Sequence, residues 1–188
     1  MKANYHTHTT FCDGHSTPEE MVQHAIELGF THLGFSGHID IDPVMDVEAY
    51  IQEIRRLESK YRDSIEILCG GELDSLYPQR HIDGVDYVIG STHHLDVGYK
   101  RPLSLDNTEE EVLFLINEFY GGDAYRMARD YFRIVAQTYD DTHCAFIGHF
   151  DLLTKYNQKL GFLDEADPKY LTPAFEAMEY LVSEGVPF

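Results

Sequence analysis

The stretch ANYHTHTTFCDGHSTPEE, residues 3–20, combines a short strand, a polar loop and the start of a helix. Thr17 can cap this helix, and Pro18 takes the first helical position, where a missing N–H costs nothing. Glu20 completes a Thr-x-x-Glu capping box, and Gly29 suits the helix end. The stretch therefore predicts one strand followed by one helix.

The same alternation continues along the chain, with short apolar runs typical of buried strands separated by amphipathic stretches typical of helices. The predicted strands cover residues 3–6, 32–36, 65–70, 87–91, 145–148 and 186–188. Further helices are predicted over 47–61 and 170–183, with a helical insertion over 108–139 that breaks at Gly121-Gly122. This order of elements predicts an α/β fold with a parallel sheet.

Composition narrows the class of protein. The 188 residues, 43% of them hydrophobic, fit a single domain over 1–188 with a sizeable core. A formal charge of −19 argues against nucleic acid as a partner, because Lys and Arg must neutralise its phosphates. We find neither a signal-peptide stretch nor a run of about 20 apolar residues, so we expect no membrane partner and a cytoplasmic location.

His6 and His8 follow the first predicted strand. Residues two apart in an extended chain project to the same side, so both imidazoles can reach one metal ion. A His-x-His pair alone is as often part of a surface turn. Whether His6 and His8 bind a metal ion therefore depends on further ligand residues elsewhere in the chain.

Similar residues recur where the later strands end. In a parallel α/β protein the carboxyl ends of the strands converge, and sites are assembled there. The recurring groups are Asp13-Gly14-His15 before the first helix, His38 after the second strand, Glu72 after the third, His93-His94 after the fourth and His149 after the fifth. This recurrence predicts a metal site at that edge of the sheet.

The roles of His93, His94 and Asp13 at the metal site have alternatives, and four other histidines are excluded as ligands. Successive residues alternate sides, so at most one of His93 and His94 is expected to be a ligand, and we favour His93. Asp13 has two open roles, as a ligand or as the carboxylate that orients His15, and we favour the second. The histidines without a strand-end position, which we exclude, are His24, His32, His81 and His143.

Together these motifs resemble the polymerase and histidinol phosphatase (PHP) family, most closely its monofunctional histidinol-phosphate phosphatases. The resemblance extends over nearly the whole chain. It rests on His6-Thr7-His8, Asp13 to Glu20, Gly37-His38, Gly71-Glu72, Gly90 to His94 and Ile147 to Leu152.

The resemblance implies a distorted (β/α)7 barrel of the TIM type that holds two or three divalent ions, zinc, manganese or iron. It implies that His6 and His8 hold one ion, that His15 and His38 contribute to a second, and that Glu72 bridges. His93 and His149 would complete a third position. A metal-bound hydroxide held by His6, His8, Glu72, His93 and His149 would attack phosphorus.

The implied reaction is hydrolysis of a small phosphorylated substrate, with L-histidinol phosphate of histidine biosynthesis as the first expectation. Asp151, like Asp13, is expected to orient a ligand. Because the protein is acidic, we expect His94, Lys155 and Arg126 to help bind the substrate phosphate. The alternatives are a PHP phosphoesterase of other specificity and a metal-binding module without catalysis.

One departure from the family concerns the last strand, which normally carries an Asp-x-His motif. The sequence ends at Phe188 before such a motif, about 60 to 80 residues short of the roughly 250 of a full barrel. We therefore expect a C-terminally incomplete barrel, whose open sheet edge could pair with another copy of the chain.

Overall fold

The computed structural model describes residues 1–39, 45–76 and 82–188. Its strands are β1 (Ala3–Asn4), β2 (His32–Phe35), β3 (Glu66–Asp74), β4 (Tyr87–Ser91), β5 (His94–Leu95), β6 (Leu103–Ser104) and β7 (Phe146–Ile147). Its α-helices are α1 (Pro18–Glu27), α2 (Val47–Tyr61), α3 (Glu109–Tyr120), α4 (Ala124–Thr142), α5 (Asn157–Leu160) and α6 (Pro168–Ser183). A short 3-10 helix covers Leu152–Thr154.

Within the described residues the main sheet has five strands in the order β1-β2-β3-β4-β7, while β5 and β6 form a separate antiparallel pair. β1 pairs parallel with β2, and β2 pairs parallel with β3. Helices α1 and α2 connect these strands, as parallel pairing requires. The predicted α/β class with a parallel sheet is confirmed.

By internal packing the chain divides into two compact units. Among the described residues, unit 1 comprises those within 1–73 and 82–89, and unit 2 comprises those within 74–76 and 90–188. The single domain over 1–188 stays a prediction.

Unit 1 begins with the predicted capping box. The Thr17 hydroxyl accepts from the Glu20 N–H at 3.3 Å, and the Glu20 carboxylate accepts from the Thr17 N–H at 2.8 Å. Helix α2 buries Tyr50, Ile54 and Leu57, and the Tyr50 hydroxyl donates to the carbonyl of Gly70 in β3 at 2.8 Å. Local caps and one apolar face therefore fix both helices against the strands.

Asp86 ties α2 to the start of β4. Its two carboxylate oxygens accept from the Arg55 guanidinium at 2.6 and 2.9 Å, and one of them also accepts from the Cys69 N–H at 2.8 Å. Burial raises the pKa of Asp86, but the hydrogen bonds from Arg55 and the Cys69 N–H, together with the Arg55 charge, outweigh burial and lower the pKa overall. The Asp86 clamp, formed by the hydrogen bonds from Arg55 and Cys69, therefore holds an ionised carboxylate.

We expect Asp86→Asn to lower the free energy of unfolding by about 1 to 2 kcal/mol at pH 7, because a charge-assisted hydrogen-bond network is lost. Since the folded protein holds the pKa below the unfolded value of about 3.9, this stabilisation is present above pH 4 and disappears as the pH falls. Urea unfolding at pH 7 and near pH 3 measures both effects.

Glu58→Gln is the matched control, because Glu58 also pairs with Arg55 at 2.9 Å but is more exposed. We expect it to change the free energy of unfolding by less than about 0.5 kcal/mol. A loss in Asp86→Asn that is the same at both pH values would contradict the ionised clamp.

Unit 2 contains the helical insertion. Thr108 caps α3 by accepting from the Glu111 N–H at 3.1 Å, and Gly121 ends the helix with φ of 63°. Asp123 then caps α4. The predicted break at Gly121-Gly122 is confirmed, because both glycines have positive φ and lie between the end of α3 and the start of α4.

Two predicted strands differ from the structure. β1 ends at Asn4, not at His6, because the Asn4 side chain accepts from the His6 N–H at 3.1 Å in place of a neighbouring strand. Residues 186–188 form no strand; Pro187 has no N–H, and only its carbonyl accepts from Ile147, at 2.9 Å.

Other boundaries shift or were not predicted. β2 ends at Phe35 and β7 covers only Phe146–Ile147, whereas β3 continues past Gly70 to Asp74. The β5-β6 pair, the 3-10 helix and α5 were not predicted, because these short elements leave no periodic pattern in the sequence. The excluded His81 lies outside the described residues.

The hydrocarbon core of a bilayer requires about 20 consecutive apolar residues in a helix that spans it. The structure describes residues 1–39, 45–76 and 82–188. Within that part of the chain, no helix is both long and apolar enough to cross a membrane.

Candidate metal centre

Thr7 fixes the positions of its neighbours His6 and His8 in unit 1. The Thr7 hydroxyl donates to the Gly34 carbonyl at 2.7 Å, and the Thr7 N–H donates to the Ser36 hydroxyl at 3.1 Å. The Ser36 N–H returns a hydrogen bond to the Thr7 carbonyl at 2.9 Å. Because side chains alternate along extended chain, anchoring Thr7 toward β2 sends both imidazoles to the other side.

Glu72 lies at the centre of this group. Its carboxylate is fully buried, with 0% exposed. The Nε2 atoms of His6 and His8 lie 3.3 and 3.0 Å from Glu72 Oε1 and Oε2, and His38 Nδ1 lies 3.3 Å from Oε2. A buried carboxylate thus meets imidazoles from the ends of two other strands.

The backbone explains why His38 and Glu72 meet. After β2 ends, the chain continues beside β3 with one parallel bridge between His38 and Glu72. The Glu72 N–H donates to the Gly37 carbonyl at 3.1 Å, and the Ile39 N–H donates to the Glu72 carbonyl at 3.2 Å. This register places the two side chains next to each other.

A tight turn brings Asp13 back to His8. The N–H groups of Cys12 and Gly14 both donate to the Thr9 carbonyl at 3.0 Å. A Cβ on Gly14 would lie 2.5 Å from the His8 carbonyl carbon and from the Thr9 nitrogen, so only glycine fits this close approach.

The turn gives Asp13 a partner that we had not expected. Asp13 Oδ1 lies 2.7 Å from His8 Nδ1, and Asp13 Oδ2 lies 3.7 Å from His38 Nε2. The sequence predicts that Asp13 orients His15, whereas its hydrogen bond is to His8. The short turn explains the difference, because it folds Asp13 onto the residue five positions earlier.

Neighbouring charges and hydrogen bonds shift the pKa values of His8 and Asp13. Burial lowers the pKa of His8, but hydrogen bonds to Cys12, Glu72 and Asp13 outweigh burial and raise the pKa overall. Burial raises the pKa of Asp13, but the hydrogen bonds to His8 and Cys12 and the nearby charges of His8 and His38 together outweigh burial and lower that pKa overall. A cation is therefore favoured between these carboxylates, either a proton or a metal ion.

The donor atoms fit a divalent ion. One group consists of His6, His8 and Glu72 and a second of His8, Asp13 and His38, and within each group the donor atoms lie within 4.8 Å of one another. Imidazole nitrogens with carboxylate oxygens suit borderline ions such as zinc, and imidazole is a poor ligand for magnesium or calcium.

Unit 2 brings together His93 and His149, whose ring centroids lie 4.8 Å apart. His149 adopts φ of 30°, a left-handed conformation that costs energy for a residue other than glycine. The buried Tyr131 hydroxyl holds this turn by donating to the carbonyls of His149 and Phe150, at 3.4 and 3.2 Å. Unit 2 therefore maintains a strained backbone at a predicted ligand.

Asp74 was missing from the sequence prediction. It is the last residue of β3, is fully buried, and accepts from the His93 N–H at 2.8 Å and from His94 Nδ1 at 3.2 Å. A signal was present, because Asp74 follows Glu72 by two residues, the spacing that made His6 and His8 notable. The predicted third strand ends at residue 70, so the prediction does not place Asp74 at a strand end.

The remaining predicted residues lie outside these groups. His15 is exposed, but it lines a cavity of about 600 Å³ together with His8. Asp151 is exposed and precedes the 3-10 helix. Lys155 donates to the Asp106 carbonyl at 2.8 Å, and the exposed Arg126 lies over the Tyr120 ring at 5.9 Å.

Comparison with known proteins finds a family model, the PHP domain, that matches residues 4–182. The chain is 27% identical over 179 residues to the "Probable histidinol-phosphatase" of Schizosaccharomyces pombe, covering 81% of this chain and 56% of that protein. It is 32% identical over 107 residues to the histidinol-phosphatase of Lactococcus lactis subsp. lactis, covering 50% of this chain and 40% of that protein. The chain thus spans about half the length of these curated relatives.

A solved structure shares the fold. The crystal structure of histidinol phosphate phosphatase (HISK) from Lactococcus lactis subsp. lactis, complexed with zinc, L-histidinol and phosphate, superimposes with a TM-score of 0.75. The match covers 98% of this chain and 71% of that chain at 22% sequence identity.

Proposed function

The chain belongs to the PHP domain family, and from this premise we propose that it hydrolyses a small phosphomonoester, L-histidinol phosphate first, with bound divalent metal ions. One observation carries the proposal most strongly. A fully buried glutamate, Glu72, faces three imidazoles delivered by the ends of adjacent parallel strands. The relatives named for histidinol phosphate support this choice of substrate.

We propose that the predicted ligands bind the metal ions, and we name them for each unit in turn. In unit 1 these are His6, His8, His15, His38 and Glu72, and in unit 2 they are His93 and His149. The zinc-containing Lactococcus lactis structure supports zinc as the first metal to test. For the fold we propose the (β/α)7 barrel of this family, to which the described parallel strands would contribute.

When bound, the ions supply Lewis acidity toward phosphoryl oxygens and a water nucleophile at neutral pH. The protein's own residues prepare for this. Asp13 accepts from His8 Nδ1 at 2.7 Å, so Nε2, which lies 3.0 Å from Glu72, is the nitrogen that would give up its proton and bind an ion. Thr7 keeps His6 and His8 on one side of the chain, so neither imidazole has to reorient when an ion binds.

Binding of the substrate phosphate needs positive charge in a protein of net charge −19. The ions themselves supply most of it under this proposal. Lys155, Arg126 and His94 stay proposed phosphate contacts. Lys155 is held by Asp106 and lies over the Tyr156 ring at 5.5 Å, so its ammonium group has a defined position in unit 2.

The proposal is tested by stripping the purified protein of metal, adding back zinc, manganese or iron, and measuring phosphate release. We expect metal-stimulated release from L-histidinol phosphate, with slower release from p-nitrophenyl phosphate and a nucleoside monophosphate, and loss of turnover with chelator. Faster turnover of another monoester would identify a PHP phosphoesterase of different specificity. Bound metal without turnover of any monoester would sink the hydrolase proposal and leave a metal-binding module.

A further inference from the structure

Asp74 has contacts that the proposed function does not use. Its Oδ1 accepts from the Leu76 N–H at 2.9 Å, and its Oδ2 accepts from the His93 N–H at 2.8 Å. Oδ2 also lies 3.2 Å from His94 Nδ1 and 3.4 Å from His93 Nδ1. A fully buried carboxylate is costly unless its environment compensates it, so this arrangement requires an explanation.

The geometry determines which nitrogen of His94 carries a proton. Both oxygens of Asp74 already accept a main-chain N–H, as an ionised carboxylate does. Such a carboxylate can only accept, so at 3.2 Å the His94 Nδ1 must be the donor. A neutral imidazole has one N–H, and the lone pair of His94 must therefore lie on Nε2.

Metal-bound histidines commonly show this arrangement, donating one ring N–H to a carboxylate while the other nitrogen binds the ion. We propose that Asp74 is a positioning residue that holds His94 in its Nδ1–H form, so that His94 Nε2 serves as a further ligand for a divalent cation. The inference rests on the proposed metal-dependent function. It revises the expectation that only one of His93 and His94 binds metal, and it replaces the proposed phosphate contact of His94, because a nitrogen that binds an ion cannot also donate a hydrogen bond to phosphate.

Although His93 and His94 are adjacent in the sequence, their side chains can face the same carboxylate. β5 begins at His94, directly after the two residues that separate it from β4, so the chain from His93 to His94 is not part of one continuous strand. As a result, the Nδ1 atoms of both rings face the same oxygen of Asp74, and the ring centroids lie 6.3 Å apart. One carboxylate can therefore orient two neighbouring imidazoles.

The first test reads the tautomer directly in metal-free protein. Long-range ¹H–¹⁵N NMR spectra at mildly alkaline pH distinguish the two neutral forms of imidazole, and the His94 signals are identified by their loss in His94→Gln. We expect the Nδ1–H form in the wild type. The Nε2–H form at His94 in the wild type would overturn the inference, and this measurement does not require any Asp74 variant to fold.

The second test measures zinc affinity by competition with a chelating dye. We expect Asp74→Asn to shift His94 toward the Nε2–H form and to weaken zinc binding about 10- to 100-fold. In a His94→Gln background, Asp74→Asn should cause little further loss, because Asp74 acts through His94. Equal losses with and without His94 would instead indicate a general structural role and overturn the proposal.

Asp106→Asn is the matched control, because Asp106 is a partly buried carboxylate of unit 2 that contacts Ser104 and Lys155 and no described histidine. It should leave the His94 tautomer and the zinc affinity unchanged. Neither readout depends on turnover. A protein without phosphatase activity can still confirm the role of Asp74, and an active phosphatase with His94 in the Nε2–H form overturns only this inference.

Discussion

Glu72→Gln is expected to lower metal-dependent phosphate release by about 10³-fold or more, because it removes a buried charge from the centre of the proposed ligands. The amide keeps the shape of the side chain but replaces one acceptor oxygen with an N–H donor. That donor would face the imidazole nitrogens that now lie 3.0 to 3.3 Å from the carboxylate. The zinc content measured after dialysis should fall together with the activity.

Glu66→Gln is a close control for this substitution. Glu66 is at the other end of β3, and its carboxylate also contacts a histidine, His32, at 3.2 Å, but it is exposed. We expect this variant to retain zinc and to change turnover less than about twofold. If Glu72→Gln kept its zinc and more than a tenth of wild-type turnover, Glu72 would not be a ligand.

Gly14→Ala is expected to have the second largest effect. The added methyl group would lie 2.5 Å from backbone atoms of His8 and Thr9, which cannot move aside as a flexible side chain can. The turn must open, at a cost of about 1 to 3 kcal/mol in the free energy of unfolding. Opening also withdraws Asp13 from His8, so we expect zinc affinity to fall about 10- to 100-fold.

Gly98→Ala separates these effects from the general cost of replacing glycine. Gly98 has φ of 75° and no atom within 4 Å of the added methyl group. We expect about 1 kcal/mol of destabilisation and unchanged zinc affinity. Urea unfolding and zinc competition on both variants measure the comparison, and equal zinc affinity in Gly14→Ala and the wild type would refute the role of the turn.

Helix boundaries were predictable where local chemistry determines them. The Thr17 capping box and the apolar face of the second helix led to α1 and to the bounds of α2, since caps and periodicity act over a few residues. The strand-end positions likewise led to His6, His8, His38 and Glu72, which the structure brings together. Whether these residues bind metal stays a prediction.

The end of β3 could not be predicted locally. The predicted strand ends at Gly70, yet β3 continues through Gly70 and Gly71 to Asp74. A Cβ on Gly70 would lie 2.3 Å from the Tyr87 ring, and one on Gly71 would lie 1.9 Å from Ile39. These glycines allow close packing by distant residues, a tertiary requirement that also hid Asp74 from the sequence prediction.

The anchoring of Thr7 has a consequence for how this site can change over evolutionary time. The two imidazoles depend on the residue between them, whose hydroxyl is held by Gly34 of β2 and whose N–H is held by Ser36, directly after β2. A substitution at position 7 can therefore disturb the orientation of both imidazoles without altering either histidine. Selection would therefore act on the three residues together. A descendant that loses the threonine could keep both histidines while their side chains are no longer held on the same side of the chain.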